Sequence, residues 1–429
     1  MHTRLIKFVA SLSSAAAVAG CGASISGIPA AGELDVTKLS AGNYPVAPID
    51  SVQQYSHTYR DGKTLAAIRL ANHTITGLDV DPRLKFGSGA MAQGAIPTSQ
   101  VSDWSTILSA SDSKAVEQNG AMFGFSSGSM NVQPDIHGYT SSEATLLTIT
   151  IIQFPGDGEA RQAASDIYTG DLNRLTAVNQ PVSLPKYPDA HSYRHTGTPQ
   201  LNTIIAHGHY IVKAEIQVPN GDTSAMASLA EKAYDKQLSM LDALPPLSPM
   251  AVLKQPPDPD GIIRRLLNPD QDWVYGPGSL ASYDLQGFLQ LQRDRAAAKQ
   301  LYQSLHIDAF GVAAAYILNS PLGERNGDMQ PFIAGIPLTP EGTVLYRSPD
   351  TDSARVVWSK ILNAPGSAMA PQGVPDAKCT QLPSETDLKN FTCAVRYRQY
   401  VGVVWARQLD DAQQRAAAEY ALLANSQGM

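Results

Sequence analysis

The chain has 429 residues, with 32 Lys and Arg against 39 Asp and Glu and a formal net charge of −7. This balance argues against a nucleic-acid partner and against a basic face for anionic lipid, while leaving small ligands open. At about 100 to 200 residues per domain there is room for two or three domains, and two is the simplest count.

The N-terminus opens with two basic residues, Arg4 and Lys7, followed by an apolar and small-residue stretch from Phe8 to Gly20. That stretch is too short to span a bilayer as a stable helix and has the layout of a secretion signal. It closes on Val18-Ala19-Gly20-Cys21. Small residues ahead of a cysteine let a processing peptidase seat the chain extended, and the thiol is what a thioether to diacylglycerol requires. The expectation is a lipoprotein signal peptide over residues 1–20, lipidation of Cys21 as the mature N-terminus, and a lipid-anchored tether over 21–45 dominated by Gly, Ser, Ala and Pro. Two or more acyl chains retain a protein firmly where one does not, so the lipid on Cys21 implies attachment to the cell membrane on its extracytoplasmic side. No membrane span is predicted after Cys21.

Residues 46–244 read as the first of two domains. A helix is expected near Lys63 to Ile75, whereas Gly77 to Ser129, rich in Gly and Ser, gives no readable period. Thr145 to Phe154 (TLLTITIIQF) is β-branched and apolar enough for a buried strand and stops at Pro155. An Ala-rich helix over Glu159 to Ile167 follows, with Asp157 placed to cap it. Ile204 to Val218 reads as paired strands leading to a helix from Ser224 to Leu244, with Ala230, Tyr234, Leu238 and Leu241 on one face. Residues 245–270 then carry Pro245, Pro246, Pro249, Pro256, Pro257, Pro259 and Pro269, the composition of a stiff, extended linker.

The second domain, 271–429, opens with an expected strand near Tyr283 to Leu291, a helix near Arg293 to Leu305 and a strand near Phe310 to Leu318. It then repeats the first domain. Thr343 to Arg347 is a strand, Pro349 a stop, and Ser353 to Leu362 a helix. Without a gap, Ala160-Arg161 aligns with Ala354-Arg355, Ser165 with Ser359 and Ile167 with Ile361. Cys393 to Ala406 matches the earlier hairpin, with Tyr400 in the place of Tyr210, and leads to a helix from Asp411 to Ala424 lined by Ala412, Ala416, Tyr420 and Leu423. Asp410 and Gln413 have capping-box spacing at its start. The fold class expected is therefore α+β: two related α/β sandwich domains, each built around a β-α-β-β-α unit with an antiparallel or mixed sheet and helices mainly on one face.

With Cys21 consumed by lipid, Cys379 and Cys393 remain as one candidate disulfide, the alternative being two free thiols. Closing so short a loop would stabilise by roughly 3 kcal/mol in the chain-entropy account, so a structural role suffices for the pair.

Catalytic signals are thin. Gly124-Phe125-Ser126-Ser127-Gly128 satisfies the Gly-x-Ser-x-Gly pattern of a nucleophile elbow, with His137 a conceivable base. The segment after it, Ser129 to Pro134, promises no helix, and a flexible loop explains the pattern better. His207 and His209 share a strand face, and His191 and His195 precede them. Four imidazoles would suit Zn²⁺ or Cu²⁺, yet no thiolate or carboxylate stands at ligand spacing, so no metal is expected. The acidic pairs Asp79/Asp81, Asp270/Asp272 and Asp410/Asp411 read as turns or helix starts. Trp273, Tyr275 and Tyr283 either stack on a ligand near the domain junction or seal that junction, and the second is preferred. No catalytic residue, no cofactor, no phosphate loop and no dinucleotide fingerprint is predicted.

The lipidation box, Gly42-Asn43-Tyr44-Pro45, Val80-Asp81-Pro82-Arg83-Leu84, Asp258-Pro259-Asp260-Gly261 and Val274-Tyr275-Gly276-Pro277-Gly278 together resemble a family of uncharacterised two-domain lipoproteins of mycobacteria and related actinobacteria, over most of the mature chain. The resemblance implies an exported, anchored envelope protein and no established enzyme class. The expected role is a non-enzymatic lipoprotein that binds a small ligand or an envelope protein, with the domain junction as the natural place for a cleft. A serine hydrolase of envelope material and a purely structural scaffold are the alternatives.

Overall fold

The β-branched run near residue 150 forms the strand that its composition demands, and it lies in the interior of a seven-stranded sheet. The computed structural model describes residues 34–48, 55–87, 104, 107–133, 143–174, 178–268, 280–314, 341–362, 368–382 and 390–427. Its first sheet comprises β1 (Phe86–Gly87), β2 (Phe123–Met130), β3 (Leu146–Gln153), β4 (Asn179–Pro181), β5 (His191–His195), β6 (Gln200–His207) and β7 (Tyr210–Gln217), in the order β1-β2-β3-β7-β6-β5-β4. The second comprises β8 (Leu280–Tyr283), β9 (Ala309–Ala314), β10 (Gly342–Arg347), β11 (Ala377–Leu382), β12 (Asn390–Tyr397) and β13 (Tyr400–Ala406), in the order β8-β9-β10-β13-β12-β11. Every pairing is antiparallel.

The two sheets follow one path, as the repeat predicted. Gln153 stands opposite Tyr210 in the β3–β7 ladder, and Arg347 opposite Tyr400 in the β10–β13 ladder. Four residues further along, Ala214 faces Thr203 and Val404 faces Cys393. The register is therefore conserved between the copies across three strands, which chance identities would not produce, because a one-residue slip moves every side chain to the wrong face.

Helices are α1 (Tyr59–Ala71), α2 (Ala110–Gln118), α3 (Asp157–Arg174), α4 (Thr223–Asp242), α5 (Pro249–Leu253), α6 (Leu285–Gln290), α7 (Arg295–Ser304), α8 (Thr351–Ile361) and α9 (Leu409–Asn425). They cover both faces of the first sheet, not mainly one. Ile152, Ile204 and Ile211 pack with Val116 of α2 and with Ala160, Ala163 and Ile167 of α3. On the other face Ile151, Val212 and Ala214 join the larger core with Ala230, Ala233 and Tyr234 of α4. Alternation along each strand thus feeds two apolar layers. On α8, Ala354 and Val357 are fully buried, whereas Ile361 is only half-buried, unlike its counterpart Ile167.

Several local expectations are corrected. The repeated unit holds an additional strand before its hairpin, β5 in one copy and β11 in the other. His191–His195 (HSYRH) is short and polar, so it carries no alternation signal, and its pairing with β6 supplies the order. The expected strand Tyr283 to Leu291 ends at Tyr283. Asp284 caps α6 by accepting the Gly287 N–H at 2.8 Å, and its side chain turns the following apolar run into a helix. The elbow pattern around Ser126 is neither a turn nor a loop but the interior of β2. At α9 the cap residue is Gln408 with no side-chain bond, so the Asp410/Gln413 box is not formed.

The Pro-rich stretch is also more ordered than an extended linker. Pro249 sits in the first turn of α5, where a missing N–H costs nothing, and Ser248 accepts the Ala251 N–H at 3.1 Å. Gly62 in α1 lies so close to α5 that a Cβ there would come within 2.1 Å of the Val252 carbonyl oxygen. Beyond it, the Asp258 carboxylate accepts the backbone N–H groups of Ile263 and Arg264, and Ile262, Ile263, Leu266 and Leu267 are buried. Residues Val36–Met429 consequently form one compact unit.

Candidate functional site at the domain junction

The junction between the sheets is built on α6. Its apolar side stacks Phe288 on Phe310, with ring centroids 4.1 Å apart, and its polar side reaches the first domain. Gln290 accepts the Ser127 hydroxyl at 2.5 Å and donates to the Thr74 carbonyl at 2.7 Å. Gln286 donates to the same carbonyl at 2.9 Å and to Asp79 at 3.0 Å. The backbones join as well: Gly87 N–H donates to the Arg293 carbonyl at 2.8 Å, and Arg295 N–H to that of Lys85 at 2.9 Å.

Arg295 is the charged centre of this seam. It is 1% exposed, donates to the Ser129 hydroxyl at 2.6 Å and to the Gln290 carbonyl at 3.3 Å, and has an Nε with no partner among the described residues. Burial lowers its pKa to about 10, against the opposing charge of Asp79. Asp79 itself accepts the Thr76 N–H at 2.8 Å and lies 3.5 Å from Lys299. Chemically this arrangement binds one half of the chain to the other. Tyr283 is 1% exposed and lies in the junction's core, so it offers no face to a ligand; Trp273 and Tyr275 lie outside the described residues.

A second polar cluster lies in the first domain alone. Lys213 of β7 places its ammonium 2.7 Å from Asp112 of α2 and 2.8 Å from Glu215. Burial pulls its pKa down, but the two carboxylates outweigh burial and raise it, so the lysine stays charged. Nearby, Asp171 of α3 accepts the Tyr193 hydroxyl at 2.6 Å and pairs with Arg174 at 2.7 Å; burial raises its pKa against those bonds. By the register above, Val403 and Trp405 occupy the positions of Lys213 and Glu215 in the second sheet, so the fold does not itself demand these charges. Sequence reading missed the cluster, although two charged residues in the otherwise apolar strand YIVKAEIQ were a signal.

The residues singled out from sequence are scattered. Ser126 is 2% exposed, mid-strand, and shares a 2.8 Å hydrogen bond with Thr150; His137 lies outside the described residues. That is not the strand–turn–helix context in which an elbow exposes its serine. The four histidines do not converge. His191 stacks on Tyr168, His195 bonds the Thr196 carbonyl, His207 bonds Asp242 at 2.7 Å and His209 approaches Asp157 at 3.6 Å. Among the described residues no group of histidine, cysteine and carboxylate side chains is placed to hold a metal, and no helix is long and apolar enough to cross a membrane. Asp411 bonds Tyr44 and Arg415, and Asp81 bonds Arg83. Asp270, Asp272 and Cys21 lie outside the described residues.

Cys379 and Cys393 stand directly opposite each other in the β11–β12 ladder and are joined as a disulfide. At the equivalent place in the first sheet, Ser192 stands opposite Thr203 and their hydroxyls hydrogen-bond at 2.6 Å. The same cross-strand contact is thus covalent in one copy and a hydrogen bond in the other.

Family models match most of the chain. Residues 53–257 match the N-terminal domain of unknown function DUF7373, and residues 262–426 match its C-terminal domain. The first match contains the seven-stranded sheet and the second the six-stranded one. No curated protein and no solved structure matches the chain.

Proposed function

The chain belongs to the DUF7373 family and carries both its N-terminal and its C-terminal domain, and on that premise we infer that it is an exported, lipid-anchored cell-envelope protein that binds a ligand or a protein partner. In this reading it resembles the two-domain lipoproteins of mycobacteria and related actinobacteria. The observation that carries this reading is the Val18-Ala19-Gly20-Cys21 box, in which small residues precede a cysteine at the end of a short apolar leader. The paired Cys379 and Cys393 support it, because disulfides persist outside the reducing cytosol. Membrane attachment runs through the lipid on Cys21, with the folded domains on the extracytoplasmic side.

Fractionation of cells expressing Cys21→Ala tests the anchor. The variant is expected in the soluble extracytoplasmic or culture fraction, since a thioether lipid is the attachment proposed. Firm retention in washed membranes, with the leader removed, would show a different anchor. A native mass spectrum of the unlipidated protein separates binding from catalysis: a copurified lipid, metabolite or protein favours the binding reading. Labelling by a fluorophosphonate that Ser126→Ala abolishes would favour a serine hydrolase instead.

A further inference from the structure

A fully buried acid sits where α9 meets the Ile263–Leu267 segment, at the start of the C-terminal family domain. Glu419 is 0% exposed; its Oε2 accepts the Leu267 N–H at 2.8 Å, and its Oε1 has no partner among the described residues. The residue opposite, Gly402 of β13, is shaped to it. A Cβ at Gly402 would lie 2.6 Å from the Glu419 Cγ, too close for any side chain to remain there unmoved. The other copy solves the same packing without an acid. Counting from Tyr234 and Tyr420, and from Tyr210 and Tyr400, the counterparts of Glu419 and Gly402 are Ala233 and Val212, both fully buried. A small residue on the strand and a long acid on the helix have replaced a larger strand residue and an alanine.

The charged groups on the surrounding elements are engaged elsewhere. On the segment itself Arg264 pairs with Asp258, and Arg265 donates to the Gly261 and Ser426 carbonyls and lies over the Tyr400 ring. One turn back on α9, Arg415 pairs through Nη2 with Glu341 and through Nε with Asp411, its Nη1 having no partner among the described residues; on β12, Arg396 pairs with Asp376. Gly402 brings no charge. Among the described residues no cation is paired with this carboxylate, and an isolated ion is costly in such surroundings.

We propose that Glu419 is a proton-controlled latch: neutral, it stays buried and holds the Ile263–Leu267 segment against α9, and its ionisation favours release of that segment. Burial raises the acid to about 8, against the opposing effect of the Leu267 N–H bond. In the released state the carboxyl is in water and ionises near its ordinary value of 4.5. The closed state therefore binds more protons between those two points, and closure is fully supported below about pH 4.5 and weakens as pH rises towards 8.

Hydrogen exchange at the Leu267 amide in the full chain, compared at each pH with Glu419→Gln, reads the latch. Wild type and variant should match near pH 4.5. Above it the opening of the wild type should grow relative to the variant, by up to about tenfold per pH unit across the window. Because Glu419→Gln places an amide in a buried site, the double variant Glu419→Ala/Gly402→Val, which rebuilds the packing of Ala233 and Val212, serves as the second reference. It should fold and show the same flat profile. If wild type keeps in step with either folded variant from pH 5 to 8, Glu419 is a buried polar filler and the latch is wrong.

Discussion

A hydroxyl pair in one copy and a disulfide in the other show what a single cross-strand contact contributes. Ser192 and Thr203 make one hydrogen bond between neighbouring strands, of the order of 1 kcal/mol. Cys379 and Cys393, separated by 14 residues, add the loss of unfolded-chain entropy, roughly 3 kcal/mol in that account. Mass spectrometry of the non-reduced protein should find it two hydrogen atoms lighter than the dithiol. Two alkylatable thiols in the native protein would overturn the pairing. The double variant Cys379→Ser/Cys393→Thr transplants the first copy's solution and should fold with unchanged circular dichroism at a lower denaturation midpoint. Failure to fold would mean that the second sheet cannot close without its covalent link.

Among the elements, α3 and α8 test how far the two copies are equivalent in energy as well as in path. Both begin after a proline-terminated strand, and both bury alanine or valine at matching positions, Ala160 with Ala354 and Ala163 with Val357. Their last turns differ. Ile167 is 3% exposed in a closed apolar cluster, whereas Ile361 is half-buried and only borders the larger core. Ile167→Asp would bury an unpaired charge and should cost roughly 3–5 kcal/mol. Ile361→Asp can turn its carboxylate to water and should cost about 1–2 kcal/mol. Urea midpoints of the two variants decide this; equal losses would show that the two helix ends are equally closed.

For the molecule as a whole, the seam around Arg295 makes the two family domains one body. The residues it joins come from distant parts of the chain: Ser127 and Ser129 from β2, Thr74 from the turn after α1, and Gln290 from α6. Arg295→Ala would leave the Ser129 hydroxyl short of a donor and open a space beside Gly87, at a cost of roughly 2–4 kcal/mol. Arg295→Met restores the volume without the bonds and should lie between. The expected sign is a lowered midpoint, and two separate unfolding transitions where the wild type should show one. An Arg295→Ala protein as stable and as cooperative as wild type would place the coupling elsewhere, in the Phe288–Phe310 stack or the paired backbones at Lys85 and Arg293.

What the sequence determined by itself was whatever near neighbours encode. The β-branched run at Leu146–Gln153, the alanine stripe of α3, the hairpin spacing around Tyr210 and Tyr400, and the recurrence of all three were legible because strand and helix periods repeat within a few residues. Cysteine parity likewise pointed to Cys379 and Cys393. Elements whose composition contradicts their place were not legible: the polar strand His191–His195, held by β6, and the strand within the Gly- and Ser-rich stretch, held by β3 and α1. The polar sites were decided only by tertiary structure. Lys213 finds Asp112, Arg295 finds Ser129, and Glu419 finds Leu267 across 101, 166 and 152 residues of chain. Whether such a charge is solvated, paired or buried depends on which distant surface covers it, and local sequence pattern carries no record of that.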